Sequence, residues 1–289
     1  MMSEEEKVIR NCIRLALQED VGDGDHTSLS CIPASARGKA VLVAKEEGVI
    51  AGIGIARMVY EEVDPKTVFT PLVQDGAEVK KGDRIFEVEG FSRSILTAER
   101  LSLNYIQRMS GIATHTRRLV NLIASVPTDN GRRTTLLDTR KTTPNNRIFE
   151  KMAVKIGGGN NHRFGLFDMI LIKDNHIDFA GGIEKAIDAV HAYLHEKGKN
   201  LPIEIEVRNF DELNRVMTHG GVNRVMLDNF TPEDLRKALK VVDGKYETEA
   251  SGGITEQTLP LYAATGVDFI SVGALTHHIA ALDLSLKAC

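Results

Sequence analysis

Residues 203–209 read IEIEVRN, and the alternation in the first five decides what kind of sheet this chain builds. Successive side chains on a strand point to opposite faces, so Glu204 and Glu206 share one face, and Ile203, Ile205 and Val207 share the other. An acid facing the interior of a small barrel is costly unless it is paired or binds ligand hydroxyls or a metal. Five other runs have the same form, short and apolar or β-branched, each ending in polar or charged residues. They are TTLLDTRK from Thr134, DMILIKDNH from Asp168, RVMLDNF from Arg224, YETEASGGI from Tyr246 and VDFISVGAL from Val267.

The last four of the six runs start at 203, 224, 246 and 267, a spacing that suits one strand plus one helix. Helical patterns fill the gaps. IEKAIDAVHAYLHEK repeats apolar residues at Ile183, Ala186, Ile187, Val190 and Tyr193–Leu194, with a 3.6-residue period. TPEDLRKAL opens with a Thr cap, a Pro at the first helical position and acids in the first turn. TEQTLPLYAATG also starts at a Thr, with Pro260 expected to distort it. Repeated strand–helix units imply parallel strands, whose functional residues gather at the C-terminal strand ends. Those ends carry Arg140 and Lys141, Lys173 and His176, Glu206, Asp228 and Asn229, Ser251-Gly252-Gly253, and Gly273. The fold expected is α/β, a parallel β/α barrel with a polar mouth.

The first hundred residues have a different texture. GKAVLVAKEEGVIAGI reads as strands, IARMVYEEV as an amphipathic helix, and VQDGAEVKKGDRIFEVEG as short antiparallel strands with Gly-marked turns. They form a separate α+β domain. A long helical stretch from Ser94 to about Val126, expected to break near Ser110-Gly111, links it to the barrel.

Composition narrows the function. A hydrophobic content of 42% with 26% charged residues suits a globular protein with a sizeable core. No apolar run approaches the roughly 20 residues of a membrane span, and MMSEEEKVIR lacks the apolar region of a signal peptide. Cys12, Cys31 and Cys289 are odd in number and far apart, fitting neither a disulfide framework nor a zinc site. The setting expected is cytoplasmic. A net charge of −4 argues against nucleic acid as a partner.

That net charge makes one region stand out. Between Arg132 and His176 lie nine Lys/Arg and only four Asp/Glu, so an acidic chain concentrates its cations around DTRKTTPNNR, GGGNNHRFG and ILIKDNH. An anionic ligand is implied. Ser251-Gly252-Gly253 and Val272-Gly273-Ala274 end the last two strands, where glycines let backbone N–H groups approach a phosphate. Lys173 is either an anion ligand or a desolvated Schiff-base lysine. His162-Arg163 alone reads as a surface loop pair. Asp23, Asp25 and His26 are better explained by Asx turns than by a metal, and His277-His278 lacks the i, i+4 spacing of a helical metal site.

Taken together, these motifs resemble those of one family, the quinolinate phosphoribosyltransferases, also called nicotinate-nucleotide pyrophosphorylases (carboxylating). The resemblance runs along nearly the whole chain: EDVGDGDHTS, LTAERLSLNYIQRMSGIAT, DTRKTTP, GGGNNHR, LIKDNHI, IEIEV, MLDNF, EASGGI and VDFISVGALTHH. It implies an N-terminal α+β sandwich domain over residues 1–113, joined by residues 276–289, and an incomplete parallel β/α barrel over 114–275. It also implies at least a homodimer, in which each site borrows Arg100 from the partner subunit. By resemblance, Arg100, Thr139, Arg140, His162, Arg163 and Lys173 hold quinolinate. Lys141 and Lys173 stand at the reacting centre, while Glu206 and Asp228 face the ribose hydroxyls and Mg2+. Ser251, Gly252, Gly253, Gly273 and Ala274 hold the 5-phosphate of phosphoribosyl pyrophosphate (PRPP). No nucleic acid or membrane partner is implied.

One position departs from the family's pattern. Asn145 stands where a glycine is usual, and Asn tolerates a left-handed backbone better than most residues. The stretch PTDNGRR is also longer than usual and reads as a surface loop. Three other functions compete with the expected one: a nicotinate phosphoribosyltransferase of the same architecture, a Lys173 Schiff-base aldolase, and a non-catalytic sensor of a phosphate ligand.

Overall fold

The computed structural model describes residues 3–289. They divide into two compact units, one made of the chain up to Arg117, Thr142–Gly158 and Leu275–Cys289, the other of Arg118–Lys141 and Gly159–Ala274. The chain begins with α1 (Glu4–Val21), α2 (His26–Cys31), β1 (Arg37–Ala44), β2 (Gly48–Val49), α3 (Ile53–Val63), β3 (Val68–Pro71), β4 (Glu78–Val79), β5 (Arg84–Phe91) and α4 (Ser92–Ala124). It continues with β6 (Thr135–Leu137), α5 (Arg147–Ile156), β7 (Ile170–Ile172), α6 (Asp174–Ala180), α7 (Ile183–Lys197), β8 (Ile203–Val207), α8 (Phe210–His219) and β9 (Arg224–Asp228). It ends with α9 (Pro232–Val242), β10 (Glu247–Ser251), α10 (Leu259–Ala263), β11 (Phe269–Ser271), α11 (Ala274–His277) and β12 (Leu284–Ala288).

The first unit holds an antiparallel sheet in the order β12-β1-β5-β3. Leu42 of β1 lies opposite Phe86 of β5 on one side and Leu286 of β12 on the other, so the last strand of the chain is bonded to the first. Leu42, Phe86, Val88, Val59 and Tyr60 are buried, and the rings of Phe69 and Phe86 lie 4.5 Å apart between centroids. Helix α1 packs on α3. At its start the Ser3 hydroxyl accepts the Glu6 N–H at 3.1 Å. The Asp-Gly-rich turn after α1 is explained by capping, since Asp25 accepts the Ser28 N–H at 3.0 Å and so starts α2.

Helix α4 runs unbroken over 33 residues, against the expected break at Ser110-Gly111. Both residues serve packing. The Ser110 hydroxyl accepts the Ala51 N–H at 2.9 Å, and a β-carbon at Gly111 would overlap the Ala280 carbonyl. A glycine inside a helix costs roughly 1 kcal/mol, offset here by the close approach it permits.

Residues 142–158 lie between two barrel runs in sequence, yet group with the first unit. Buried Glu150 accepts from Arg108 Nη2 at 2.6 Å and Nε at 2.8 Å, and from the Thr143 N–H at 3.3 Å. Arg117 Nε donates to the Gly157 carbonyl at 3.0 Å. Asn145 has φ 62, so the departure from glycine keeps the left-handed turn.

The second unit holds six parallel strands in the order β6-β11-β10-β9-β8-β7. All six apolar runs are these strands. β6 and β7 stand at the two ends of the order, which leaves the barrel incomplete. Every residue of β8, from Ile203 to Val207, is buried, as a strand covered on both faces requires. Helix α7 buries Ile183, Ala186, Ile187 and Leu194. Helix α9 starts where Thr231 accepts the Asp234 N–H at 3.2 Å, ahead of Pro232. Pro260 does more than distort its segment. It confines α10 to five residues, which begin at Leu259 rather than at Thr255. The PTDNGRR loop is tied down, Asn130 Nδ2 donating to the Gly266 carbonyl at 3.0 Å and Arg236 bonding Asp129 at 2.6 Å. Among the described residues no helix is long and apolar enough to cross a membrane.

Candidate active site

The six strands deliver their C-terminal ends to one rim. In spatial order these ends carry Thr139-Arg140-Lys141 (β6), Gly273 (β11), Ser251-Gly252-Gly253 (β10), Asp228 (β9), Glu206 (β8) and Lys173 (β7). The cations therefore stand at the two open ends of the strand order. Acids and glycines fill the positions between.

Thr139 shapes the turn after β6 by accepting the Lys141 N–H at 3.0 Å, which leaves Arg140 and Lys141 exposed. Fully buried Asp138 accepts the His162 N–H at 2.9 Å and so hangs the loop of His162 and Arg163 beside β6. The far side of that loop is held as well. Asp168 accepts the N–H groups of Phe164 and Gly165, and Arg163 Nη1 donates to the Met169 carbonyl at 3.2 Å. Burial lowers the Arg163 pKa, and the neighbouring charge of Arg140 lowers it further. The two positive charges act on one another, and an anion at the rim would offset both. Lys173 starts α6 at the end of β7, its N–H donating to His176 Nδ1 at 2.9 Å, and its side chain is exposed.

Glu206 and Asp228 lie at the ends of adjacent strands. Burial raises the Glu206 carboxyl above the ordinary range, and the charge of Asp228 raises it further while Lys173 lowers it. Burial also raises Asp228, against a bond from Asn229 and the charges of Lys173 and Lys141. Lys141 and Lys173, from the two end strands, thus both act on Asp228. Two carboxylates on neighbouring strand ends, Glu206 buried and Asp228 partly exposed, are hard oxygen donors of the kind that suit Mg2+.

Ser251 is tied to one of these acids, Asp228, through Asn229. The Asn229 N–H donates to the Ser251 carbonyl at 2.8 Å, and Asn229 Nδ2 donates to Asp228 Oδ2 at 2.6 Å. Gly252 and Gly253 have φ of 93 and 62, conformations that side chains rarely adopt. A β-carbon at Gly253 would meet nothing within 4 Å, so the side-chain position there opens onto free space. Gly273 and Ala274 follow β11 at the start of α11.

Below the rim lies a layer of charge. His162 Nε2 is 2.9 Å from Glu204 and 3.5 Å from Glu249, and Arg224 Nη1 is 3.1 Å from Glu249. Burial pushes the Glu204 and Glu249 carboxyls up to about 7 each. Glu204 was legible from the IEIEV alternation. Glu249 and Arg224 were not singled out, although the alternation of Glu247, Glu249 and Ser251 puts Glu249 on the face of a site residue.

The second unit therefore brings together all the expected site residues except Arg100. Arg100 is exposed on α4 in the first unit. Asp23 and His26 form an exposed pair at 3.3 Å, and the His277 and His278 rings lie edge to face.

Comparison with known proteins agrees with this geometry. The family model described as quinolinate phosphoribosyl transferase, N-terminal domain, matches residues 25–110, and the C-terminal domain model matches residues 112–287. Quinolinate phosphoribosyltransferase [decarboxylating] 1b of Nicotiana tabacum is 43% identical over 294 aligned positions, covering 96% of this chain and 82% of that protein. The probable nicotinate-nucleotide pyrophosphorylase [carboxylating] of Bacillus subtilis is 40% identical, covering 93% of this chain and 89% of its own. The solved structure of the nicotinate-nucleotide pyrophosphorylase from Francisella tularensis superposes with a TM-score of 0.90 at 42% identity, covering 100% of this chain and 98% of that one. With both domain models matched and relatives this similar along their length, the chain belongs to the quinolinate phosphoribosyltransferase family.

Proposed function

We propose that this enzyme transfers the phosphoribosyl group of PRPP to quinolinate with loss of CO2. The products are nicotinate mononucleotide and pyrophosphate, a step of de novo NAD biosynthesis. The observation that carries the reading is the gathering of cations on one rim, Arg140 and Lys141 after β6 with Arg163 on the loop hung from Asp138, and Lys173 after β7. Planar guanidinium groups bind carboxylates bidentately, and quinolinate brings two. Nicotinate brings one and would leave cations uncompensated. The exposure of Lys173 disfavours an aldolase, whose Schiff-base lysine is activated by desolvation.

In this reading Thr139, Arg140, Arg163 and Lys173 hold quinolinate, with His162 joined to them through Arg163. Ser251, Gly252, Gly253, Gly273 and Ala274 bind the 5-phosphate through backbone N–H groups. Glu206 and Asp228 take the ribose hydroxyls and would hold Mg2+, which when bound offsets charge on the departing pyrophosphate. The same two acids favour the positive charge that develops on the ribose as its bond to pyrophosphate breaks, and Lys141 stabilises the leaving group. The quinolinate nitrogen, oriented by the arginines, attacks with a lone pair that needs no base. The pyridinium so formed stabilises the electron pair left on C2 as the 2-carboxylate bond breaks and CO2 leaves, and that carbon then takes a proton from solvent to give nicotinate mononucleotide.

The working unit in this reading is a cytoplasmic homodimer in which Arg100 completes the partner's site. Arg100 is exposed, and so are the apolar Phe164, Leu166 and Phe167 beside Arg163, as a partner surface would require. The test is mass detection of nicotinate mononucleotide from quinolinate, PRPP and Mg2+. Folded protein that yields none would reject the function.

A further inference from the structure

His162 Nδ1 accepts the backbone N–H of Arg163 at 2.7 Å. A ring nitrogen that accepts a hydrogen bond carries no proton, so the imidazole is the tautomer protonated on Nε2. That Nε2 lies 2.9 Å from Glu204 and 3.5 Å from Glu249. The approach is oblique, yet both acids are fully buried and the His162 side chain is 6% exposed. The charged groups around the ring are Glu204 on β8, Glu249 on β10, Arg224 at the start of β9, and Asp138 after β6. Arg224 balances Glu249 at 3.1 Å and rests on the Phe269 ring at 3.9 Å. Nδ1 of His162 is thus hydrogen-bonded to the Arg163 N–H, and Nε2 stands within ion-pair distance of both acids.

The same three groups raise the possibility of a metal, because their ligand atoms lie within 4.8 Å of one another. The tautomer argues against it. A metal on Nε2 needs the lone pair of that nitrogen, and the Arg163 N–H already holds the lone pair of the other.

We infer that His162 is a positioning residue: braced by Glu204 and Glu249, it fixes the Arg163 peptide so that the Arg163 guanidinium, not the imidazole, meets a substrate carboxylate. The inference rests on the quinolinate reading above. It gives the buried acids of β8 and β10 a task in substrate recognition. The brace acts on one side of Arg163, and the bond from Arg163 Nη1 to the Met169 carbonyl acts on the other.

The test compares His162→Ala with His162→Asn. The Asn side-chain oxygen stands close to the place of Nδ1 and can accept the Arg163 N–H, but it can never be a cation. His162→Ala is expected to raise the KM for quinolinate by about 10-fold or more, because misplacing one binding group by an ångström has effects of this order. The KM for PRPP should change by less than about twofold, a difference worth under 0.5 kcal/mol. His162→Asn should recover most of the loss. An Asn variant as impaired as the Ala variant, or equal effects on both substrates, would overturn the inference. Nitrogen-15 NMR of the ring reads the brace without turnover, so it stands apart from the functional assignment. A proton on Nε2 alone is expected. A doubly protonated ring, or a stoichiometric metal lost in Glu204→Gln, would contradict the brace.

Discussion

Gly252 stands so close to Asn229 that a β-carbon on residue 252 would overlap the Asn229 carboxamide. Asn229 cannot easily yield. Its backbone is left-handed, with φ 56, its N–H is bonded to the Ser251 carbonyl, and its Nδ2 is bonded to Asp228. The glycine turn of β10 and the acid of β9 are therefore one rigid piece, and a change at residue 252 is felt at Asp228.

Gly252→Ala should accordingly damage PRPP binding far more than Gly253→Ala. Both positions have positive φ, a strain of about 1–2 kcal/mol for a side chain, but only position 252 adds a collision. A KM for PRPP raised at least about 10-fold in Gly252→Ala corresponds to about 1.4 kcal/mol. Titration of initial rates against PRPP decides the matter, and equal effects of the two substitutions would count against the locked turn.

Lys141→Ala and Lys173→Ala should each lower kcat by about 10²–10³, the usual loss on removing one preorganised charge at developing charge. Both side chains are exposed, so thermal midpoints should hardly move. Near-wild-type turnover in either variant would remove that lysine from the reacting centre.

The strands were legible because each apolar run ends in the polar residues that build the rim. IEIEV and RVMLDN announce both a strand and its functional terminus. The buried layer was harder to read. Glu204, Glu249 and His162 lie on separate segments, and only the closing of the sheet brings them together. Helix α4 misled for a different reason. Ser110-Gly111 signals a break by local propensity, while Ala51 and Ala280, both distant in sequence, require those small residues in an intact helix. The grouping of residues 142–158 with the first unit depends on Arg108 and Glu150, 42 positions apart, a pairing that no local pattern announces.

Stability should fall as pH rises through the range set by Glu249. Burial, and then the nearby charge of Glu204, push its carboxyl up to about 7, against an ordinary 4.5. Between these values the folded chain holds a proton that the unfolded chain has released, so unfolding free energy decreases with pH and levels off above about 7. Glu249→Gln removes this contribution. The thermal midpoint of the variant relative to wild type should therefore be higher at pH 8 than at pH 5. A difference independent of pH would contradict it.

If Arg100 serves the partner's site, Arg100→Ala and Lys173→Ala homodimers should both be nearly inactive, while co-expression restores activity. Random assembly makes roughly half the dimers mixed, and in each of these one site is intact and the other carries both lesions. Recovery should approach roughly a quarter of wild-type activity in the co-expressed mixture, and roughly half in mixed dimers isolated by two affinity tags. Mixed dimers as inactive as the parents would place Arg100 in its own subunit's site.

The most direct measurement is the fate of the 2-carboxylate. Purified enzyme is given PRPP, Mg2+ and quinolinate carrying carbon-13 in that group, with nicotinate in a parallel reaction. The account predicts labelled CO2 and unlabelled nicotinate mononucleotide in equal amounts from quinolinate, and no nucleotide from nicotinate. Comparable turnover of nicotinate, or a nucleotide that retains the label, would contradict it.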